Sequence, residues 1–303
     1  MTQESSTNTH QEHVIRGMAA ALGAHLMFSV MIMQAKLLSE NHSVIEIAFY
    51  RNLIGSMPFL FLVFVLGRRE ILRLKTKPLL VGIRATLGTL SLVITFFAYS
   101  LMPIADTTAL LFASSLFIPI LAVIVLKEAV GPYRWAAVVV GFVGVIIMSR
   151  PTGNVYLFGI SVALSAALLH ATLQIILRYL GKYESPETIS FYFFIIGTCI
   201  TALAMPFVAV TPAVSEIPLL LGVGLSGATA QWLLSVAYVN APAAVVSVFN
   251  YTSIIWATFF GWMIWNEWPA PAVLGGASIV IASSVLIIWR ERRQYKRQIE
   301  ESP

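Results

Sequence analysis

Residues 98–132, AYSLMPIADTTALLFASSLFIPILAVIVLKEAVGP, return 139 positions later as residues 237–271, AYVNAPAAVVSVFNYTSIIWATFFGWMIWNEWPAP. The two stretches align without a gap, and seven of their 35 positions are identical. The identical pairs are Ala98/Ala237, Tyr99/Tyr238, Pro103/Pro242, Ala105/Ala244, Ser114/Ser253, Glu128/Glu267 and Pro132/Pro271. Because tyrosine, proline and glutamate fall in register, the pattern predicts that the chain is a duplicated unit.

A second, shorter match supports the duplication. FYRNLIG at 49–55 returns as FYFFIIG at 191–197, at a shift of 142 positions. Two independent matches at nearly the same shift predict two halves of about 140 residues each.

The composition places the chain in a lipid bilayer. Of the 303 residues, 58% are hydrophobic and 11% are charged, whereas a soluble domain carries about 25% charged residues. A net charge of +5 lies in short loops and tails, so it indicates membrane topology and does not indicate nucleic-acid binding. The single cysteine, Cys199, excludes an intrachain disulfide and a CxxC metal site.

Ten apolar runs are long enough, or nearly so, to cross about 30 Å of hydrocarbon as helices. They lie near 14–36, 44–66, 78–101, 105–126, 132–149, 156–177, 187–210, 217–239, 244–265 and 271–289. The runs form two groups of five, at 14–149 and 156–289, with polar tails at 1–13 and 290–303.

The distribution of basic residues predicts the orientation. With the N-terminus in the cytoplasm, 15 of the 19 Lys and Arg residues lie on the inside, and only Lys36 and Arg150 lie outside. Both termini then lie in the cytoplasm, and the chain spans the cell (inner) membrane. Because five is odd, the second half enters the membrane from the opposite side. Inverted repeats suit alternating access to a site near the midplane.

The arrangement resembles the drug/metabolite transporter (DMT) superfamily in its ten-helix EamA-type branch, over residues 14–289. The resemblance rests on GIRATLG at 82–88, AYSLMPIADTTALL at 98–111 and LKEAVGPYRWAAVVVGFVGVIIM at 126–148, with copies in the second half. It implies an all-α membrane protein of ten helices in two inverted five-helix repeats. It also implies an importer or exporter of small metabolites that needs no cofactor.

Two stretches resemble one subgroup of that family. IEIAFYRN at 45–52 and FNYTSIIWA at 249–257 are similar to a subgroup that includes uptake systems for S-adenosylmethionine and riboflavin. Many members of the family carry a basic residue where this chain has Asn250.

Polar side chains inside the predicted spans are the candidates for a site, because an unpaired polar group facing lipid costs several kcal/mol. We expect Arg51 and Arg84 to attract a carboxylate, each at a different mouth of a path. The alternative for both is snorkelling to headgroups or a structural bond. Their positions place Arg51 near the outer face and Arg84 near the cytoplasmic face.

Two histidines lie inside predicted spans. His25 and His170 could bind substrate or relay a proton, because imidazole titrates near neutral pH. Alternatively, each is a neutral histidine bonded to a neighbouring helix. His170 and Gln174 are four residues apart and are expected to share an internal polar face.

Two further groups complete the candidates. Small and polar residues at intervals of three and four make a stripe along the third span that either lines a path or forms a tight helix contact. It consists of Arg84, Gly88, Ser91, Thr95 and Tyr99. Gln231, Asn250 and Tyr251 offer stacking and hydrogen bonds to a flat or amphipathic solute. Asn250 and Tyr251 are the first candidates for substrate contact.

These features predict a secondary active transporter for a small metabolite, with an amino acid or an S-adenosylmethionine-like derivative first. Riboflavin-like vitamin uptake and metabolite export by the same fold are alternatives. A non-transporting sensor or an intramembrane enzyme is an alternative of another class, although the sequence contains no catalytic signature. Coupling to a proton or a counter-substrate stays open, as does the choice between monomer and homodimer.

Overall fold

The computed structural model describes residues 2–75, 77–126, 132–148, 157–180, 183–240, 246 and 249–300. Every regular element in these residues is helical, as the sequence predicts. The elements are α1 (Thr2–Leu38), α2 (Val44–Phe64), α3 (Pro78–Leu101), α4 (Ile104–Leu111), α5 (Ser114–Leu126), α6 (Pro132–Met148), α7 (Leu157–Leu180), α8 (Pro186–Ala202), α9 (Met205–Val208), α10 (Ile217–Asn240), α11 (Ser253–Trp265) and α12 (Pro271–Glu300). Short 3-10 turns lie at Arg69–Leu72 and Asn250–Thr252.

Local sequence signals set several helix ends. The Ser43 hydroxyl accepts a hydrogen bond from the Ile45 backbone N–H and caps α2. Ser185 caps α8 by accepting from the Thr188 N–H, and Pro186 follows at the first helical position. Asn266 ends α11 in the left-handed conformation, at a φ of 52°.

Five helical stretches are long and apolar enough to cross a bilayer. They are Ile15–Leu38, Val44–Phe64, Pro78–Leu101, Leu157–Ile176 and Ile217–Leu234. Shorter apolar helices lie at Ile104–Ile118, Trp135–Met148, Glu187–Ala202 and Pro271–Ser283. The chain is therefore an all-α integral membrane protein. That it crosses the membrane ten times stays a prediction.

The fourth predicted span is two helices rather than one. The helical ladder breaks between α4 and α5, at Phe112 and Ala113. The matching position of the second copy carries the 3-10 turn before α11. Ser114 and Ser253, one of the identical pairs, each begin the helix that follows. Apolar composition runs through the break, and hydropathy alone therefore did not predict it; residues 241–245 of the second copy lie outside the described residues.

Three other boundaries differ from the prediction. The seventh run ends as a helix at Ala202, eight residues early, and the short α9 follows it. α1 begins within the predicted N-terminal tail and α12 extends through most of the predicted C-terminal tail. Polar residues continue a helix once it is nucleated, since they form the same backbone hydrogen bonds outside the bilayer.

The two halves contact each other reciprocally between α2 and α8. A methyl group at Gly55 would lie 2.4 Å from the Phe194 ring, and one at Gly197 would lie 2.6 Å from Asn52 Nδ2. Gly55 and Gly197 are equivalent at the shift of 142, and so are Asn52 and Phe194. Such paired contacts are the pattern that a two-fold relation produces.

Equivalent residues also meet at the helix breaks. Phe112 and Tyr251 are related by the shift of 139, and their rings pack edge to face with centroids 5.2 Å apart. Whole helices follow the same relation, in which α1 is equivalent to α7, α3 to α10 and α6 to α12. α1 packs on α10 as α7 packs on α3, and α6 packs on its own equivalent, α12. The duplication seen in the sequence is thus also present in the packing.

Candidate functional site

The polar stripe of α3 faces the interior along its whole length. Arg84, Gly88, Ser91, Thr95 and Tyr99 are all buried. A methyl group at Gly88 would lie 3.0 Å from the Phe193 ring. α3 packs against α7 and α8, which is compatible with a helix contact, and path-lining by the stripe stays a prediction.

Two hydrogen bonds extend this stripe to other helices. Thr95 Oγ1 lies 3.2 Å from His170 Nε2 on α7, and the Tyr99 hydroxyl lies 3.0 Å from Thr108 Oγ1 on α4. Ser91 is 1% exposed, and its hydroxyl has no hydrogen-bond partner among the described residues. His170 therefore contacts a neighbouring helix, and its role in substrate binding stays a prediction.

A second polar group surrounds the start of α11, and we call it the central cluster: His25, Asn250, Tyr251 and Ser253. His25 Nδ1 lies 3.2 Å from Ser253 Oγ, and the imidazole is within hydrogen-bonding range of the Asn250 side chain. His25 is 9% exposed, and its Nε2 has no partner in the part of the chain that the structure describes. The structure thus brings three of the predicted site residues together at a helix break.

Arg51 and Arg84 contact the same aromatic ring, so the expectation that they serve opposite mouths is corrected. Their guanidinium carbons lie 5.1 and 4.7 Å from the centroid of the Phe193 ring, which places them at most about 10 Å apart. Arg51 also lies 4.6 Å from the Phe194 centroid. The Phe193 ring that both arginines contact belongs to α8. The positions of Arg51 in α2 and Arg84 in α3 therefore could not predict that the two side chains meet.

The two guanidinium groups lack a counter-charge. Arg51 and Arg84 are 3% and 9% exposed, and no ion pair of the described residues includes either one. At an effective dielectric constant of about 20, two unit charges about 10 Å apart repel each other by roughly 2 kcal/mol. A cation–π contact contributes about 0.5–2 kcal/mol, so the rings only partly offset the repulsion and the desolvation of both charges.

Hydrogen bonding leaves a surplus of donors at this pair. Arg51 Nη1 donates to Asn52 Oδ1 at 2.9 Å. Arg51 Nε, Asn52 Nδ2, and Nε and Nη1 of Arg84 are buried without a partner among the described residues. We call Arg51, Asn52, Arg84 and Phe193 the arginine pair site.

Gln174 does not belong to an internal face. It is exposed, whereas His170 is half-buried. The contact between α7 and α3 follows positions 170 and 173, because Leu173 packs near Gly88. Each residue turns about 100° around a helix, so position 174 points about 40° away from 170, on the side opposite to 173. Gln231 is half-buried on α10.

The sequence did not predict a tie at the end of α1 between the two halves. Lys36 Nζ lies 3.1 Å from both carboxylate oxygens of Glu267 and donates to the Met102 carbonyl at 3.2 Å. It also lies 4.9 Å from the Trp265 ring centroid. Lys36 and Glu267 are 231 positions apart, and no local pattern pairs them.

His42 forms a second tie that the sequence analysis missed, in the loop between α1 and α2. Its Nδ1 lies 3.1 Å from Glu46 Oε2, and its Nε2 lies 3.0 Å from Glu216 Oε2. Burial lowers the pKa of His42, but the hydrogen bonds to Glu216 and Glu46 outweigh it, and the pKa lies above 6.5. His42 lies just before α2 and Glu46 lies in its first turn, so the pair is close in sequence, although His42 is outside the helix.

Comparison with known proteins decides the family. Residues 15–150 and 157–289 each match the model of the EamA-like transporter family. The chain belongs to the EamA-like transporter family. The resemblance to the DMT superfamily is thereby confirmed, and the protein is a membrane transporter rather than an enzyme.

Three similar proteins are transporters of different solutes. An S-adenosylmethionine uptake transporter of Rickettsia bellii is 29% identical over 255 residues, covering 84% of this chain and 87% of that protein. The pseudopaline exporter CntI of Pseudomonas aeruginosa is 29% identical over 275 residues, covering 89% and 95%. A riboflavin transporter of Rhizobium johnstonii is 32% identical over 197 residues, covering 65% of each.

A solved crystal structure shares the fold. It superimposes with a TM-score of 0.61 at 15% identity, covering 90% of this chain and 98% of that chain. At this identity the similarity concerns the fold alone.

Proposed function

We propose that this protein is a secondary active transporter that moves a small metabolite across the cell inner membrane by alternating access. The observation that carries the proposal is the tandem family match, one in each half of the chain. The reciprocal contacts between α2 and α8, and between Phe112 and Tyr251, support two equivalent halves around one axis. A carrier built in this way exchanges the conformations of its halves to open on alternate sides.

The distribution of basic residues supports an inverted arrangement with ten crossings. It assigns five helices to each half, with both termini in the cytoplasm. Under this topology the Lys36–Glu267 and His42–Glu216 ties close the outer side.

The substrate is proposed to be an amino-acid or nucleotide derivative that resembles S-adenosylmethionine. Relatives named for S-adenosylmethionine uptake cover most of this chain. The central cluster supplies the side chains for such a solute, with the Asn250 amide for directional hydrogen bonds and the Tyr251 ring for stacking. The cluster lies at a helix break, and His25 Nε2 has no hydrogen-bond partner among the described residues. Both features support a site at the junction of the halves.

Counterflow in proteoliposomes tests the proposal. Liposomes preloaded with unlabelled S-adenosylmethionine should accumulate labelled S-adenosylmethionine faster than unloaded ones, because a carrier reorients faster with substrate bound. Riboflavin and a panel of amino acids run in parallel decide among substrates, and protein-free liposomes are the control. Absence of trans-stimulation for every solute, with correctly folded protein, would contradict a carrier.

A further inference from the structure

We propose that the arginine pair site binds a carboxylate group of the transported molecule. Transport of the bound molecule rests on the function proposed above, whereas the site rests on the geometry of Arg51, Asn52, Arg84 and Phe193. The sequence predicts that Arg51 and Arg84 each attract a carboxylate at a different mouth of the path. The structure instead places both guanidinium groups against the Phe193 ring.

Burial without compensation is the first argument. Both guanidinium groups are at least nine-tenths buried, and the described residues contribute no carboxylate to either. Proteins rarely bury an ion unless it is paired, because removing one partner of a buried pair leaves an uncompensated charge. A bound anion is the missing partner that would make this arrangement favourable.

The kind of orphaned atom is the second argument. Arg51 Nε, Asn52 Nδ2, Arg84 Nε and Arg84 Nη1 are all donors and are all without a partner in the described part of the chain. The Asn52 amide orientation follows from its oxygen, which already accepts from Arg51 Nη1. A donor-only set requires an acceptor-only group, and an ionised carboxylate accepts about four hydrogen bonds and donates none.

The surrounding packing holds the cations in place. A methyl group at Gly227 of α10 would lie 3.1 Å from Arg51 Nε, and one at Gly197 would lie 2.6 Å from Asn52 Nδ2. Glycine at these two positions lets the neighbouring helix backbone approach two of the orphaned donors closely. Since Arg51 is 3% exposed, its guanidinium does not reach the headgroups, which removes the snorkelling interpretation for this residue.

Cation–π contact alone is the competing explanation. In that case Phe193 and Phe194 hold the two arginines as structural elements, and no ligand is involved. The two explanations differ in what a neutral substitution does to the ligand-free protein. An arginine with a structural role stabilises the fold. An arginine whose charge is unpaired until an anion binds destabilises the ligand-free protein, as functional sites commonly do.

The test measures the thermal unfolding midpoint of the purified full chain with matched probes that carry or lack a carboxylate. The pairs are S-adenosylmethionine with its decarboxylated form, L-methionine with L-methioninamide, and acetate with acetamide at equal ionic strength. A ligand that binds the folded state raises the midpoint. We expect at least one acid to raise it while its carboxylate-free partner does not.

Arg84→Gln is the central variant, and Arg68→Gln is its control in the exposed loop after α2, where Arg68 pairs with Glu70. We expect Arg84→Gln to keep or raise the midpoint of the ligand-free protein and to abolish the acid-dependent shift. Arg68→Gln should leave that shift unchanged. Arg51→Lys and Arg84→Lys keep the charge and should weaken acid binding about tenfold, because one ammonium replaces a two-pronged donor.

Three outcomes overturn the site. They are equal shifts from acids and their carboxylate-free partners, an acid shift that survives in Arg84→Gln, and a lower ligand-free midpoint in Arg84→Gln. Failure of the site and failure of the transport function are distinguishable. If a solute shows counterflow and Arg84→Gln leaves that counterflow unchanged, the protein is a transporter but the carboxylate site is wrong. If an acid shift depends on Arg84 but no solute shows counterflow, the site is supported and the transport function is wrong.

Discussion

At Tyr99 a single buried hydroxyl connects two helices of the first half. The side chain is 2% exposed, and its hydroxyl lies 3.0 Å from Thr108 Oγ1. Tyr99 is one of the residues that both copies share, so the repeat identified it from the sequence as part of the scaffold or of a path. Its contact with Thr108 supports a scaffold role, and contact with substrate stays a prediction.

We expect Tyr99→Phe to lower the free energy of unfolding by about 0.6 kcal/mol, within the range of interhelical hydrogen bonds in membranes. Reversible unfolding in mixed micelles measures it. Thr108→Val removes the other partner, and the double variant should be less destabilised than the sum of the single variants. Strict additivity would show that the two hydroxyls do not interact.

At the central cluster, Asn250→Ala and Tyr251→Ala should each weaken binding of the transported solute by about tenfold, the equivalent of about 1.4 kcal/mol. The reason is loss of an amide that faces His25 and of a ring that packs on Phe112. Concentration-dependent counterflow gives the apparent affinity. Ile255→Ala is the control, because Ile255 lies in α11, directly after the turn that carries both residues, and is exposed. Unchanged affinity in both variants would remove the turn before α11 from the site.

At the scale of elements, glycine decides how closely α2 and α8 approach. Gly55 and Gly197 each face a side chain of the opposite helix at a distance that excludes a methyl group. The sequence placed both glycines at equivalent positions of the two copies, but it contained no information on what they touch. The contact became visible only when the two helices were packed together.

We expect Gly197→Ala to destabilise the protein by about 1–3 kcal/mol, because the methyl group would lie 2.6 Å from Asn52 Nδ2 and 2.8 Å from Thr89 Oγ1. Gly82→Ala in α3 is the matched control, since no atom of the described residues, apart from the adjacent backbone of its own helix, lies within 4 Å of the place that its methyl group would take. It should stabilise by about 0.5–1 kcal/mol through helix propensity. Thermal unfolding of both variants decides, and equal effects would contradict the close approach.

Helix positions were largely predictable from the apolar runs, whereas breaks were not. α3 has the predicted bounds of 78–101, and α2 agrees within two residues. The break at Phe112 and Ala113 was missed because a helix and a broken helix of equal hydrophobicity have the same transfer free energy. Contact between the two breaks is a tertiary event, and no local pattern encodes it.

At the scale of the whole molecule, polar ties join the two halves at one end. Lys36 reaches Glu267 from the first half to the second, and His42 reaches Glu216 in the same way. Around His42 the titratable groups are Glu46 and Glu216. Both carboxylates favour the imidazolium, so the tie depends on protonation of His42.

The stability that His42 contributes should be lost as pH rises. Its pKa in the folded protein lies above the ordinary value of 6.5, so the folded state binds the proton more tightly than the unfolded state does. The contribution is therefore fully present below about pH 6.5 and disappears as pH rises through the pKa of the folded protein. Hydrogen bonds from the Ala213 N–H and His42 lower the pKa of Glu216, and its contribution is lost only under acid conditions.

Thermal midpoints from about pH 6 to about pH 9 measure this effect. His42→Gln keeps a polar side chain without the titration, and its midpoint should vary less over that range. A wild-type profile that coincides in shape with that of His42→Gln would show that the tie does not depend on the proton.

The sequence alone determined the duplication, the membrane class and most helix positions. These properties depend on composition and on residues close in the chain, because the hydrophobic effect acts on each apolar segment wherever its partners lie. It also identified Arg51, Arg84, His25 and Asn250 as polar groups that lipid would not accommodate.

Only the tertiary structure decided which of these groups meet. Helical spacing fixes the face on which a residue lies, but the partner of that face is set by packing between helices far apart in the chain. Arg51 and Arg84 therefore appeared to serve opposite sides until Phe193 brought them together. His25 and Asn250 were likewise separate candidates until the break before α11 placed them beside each other.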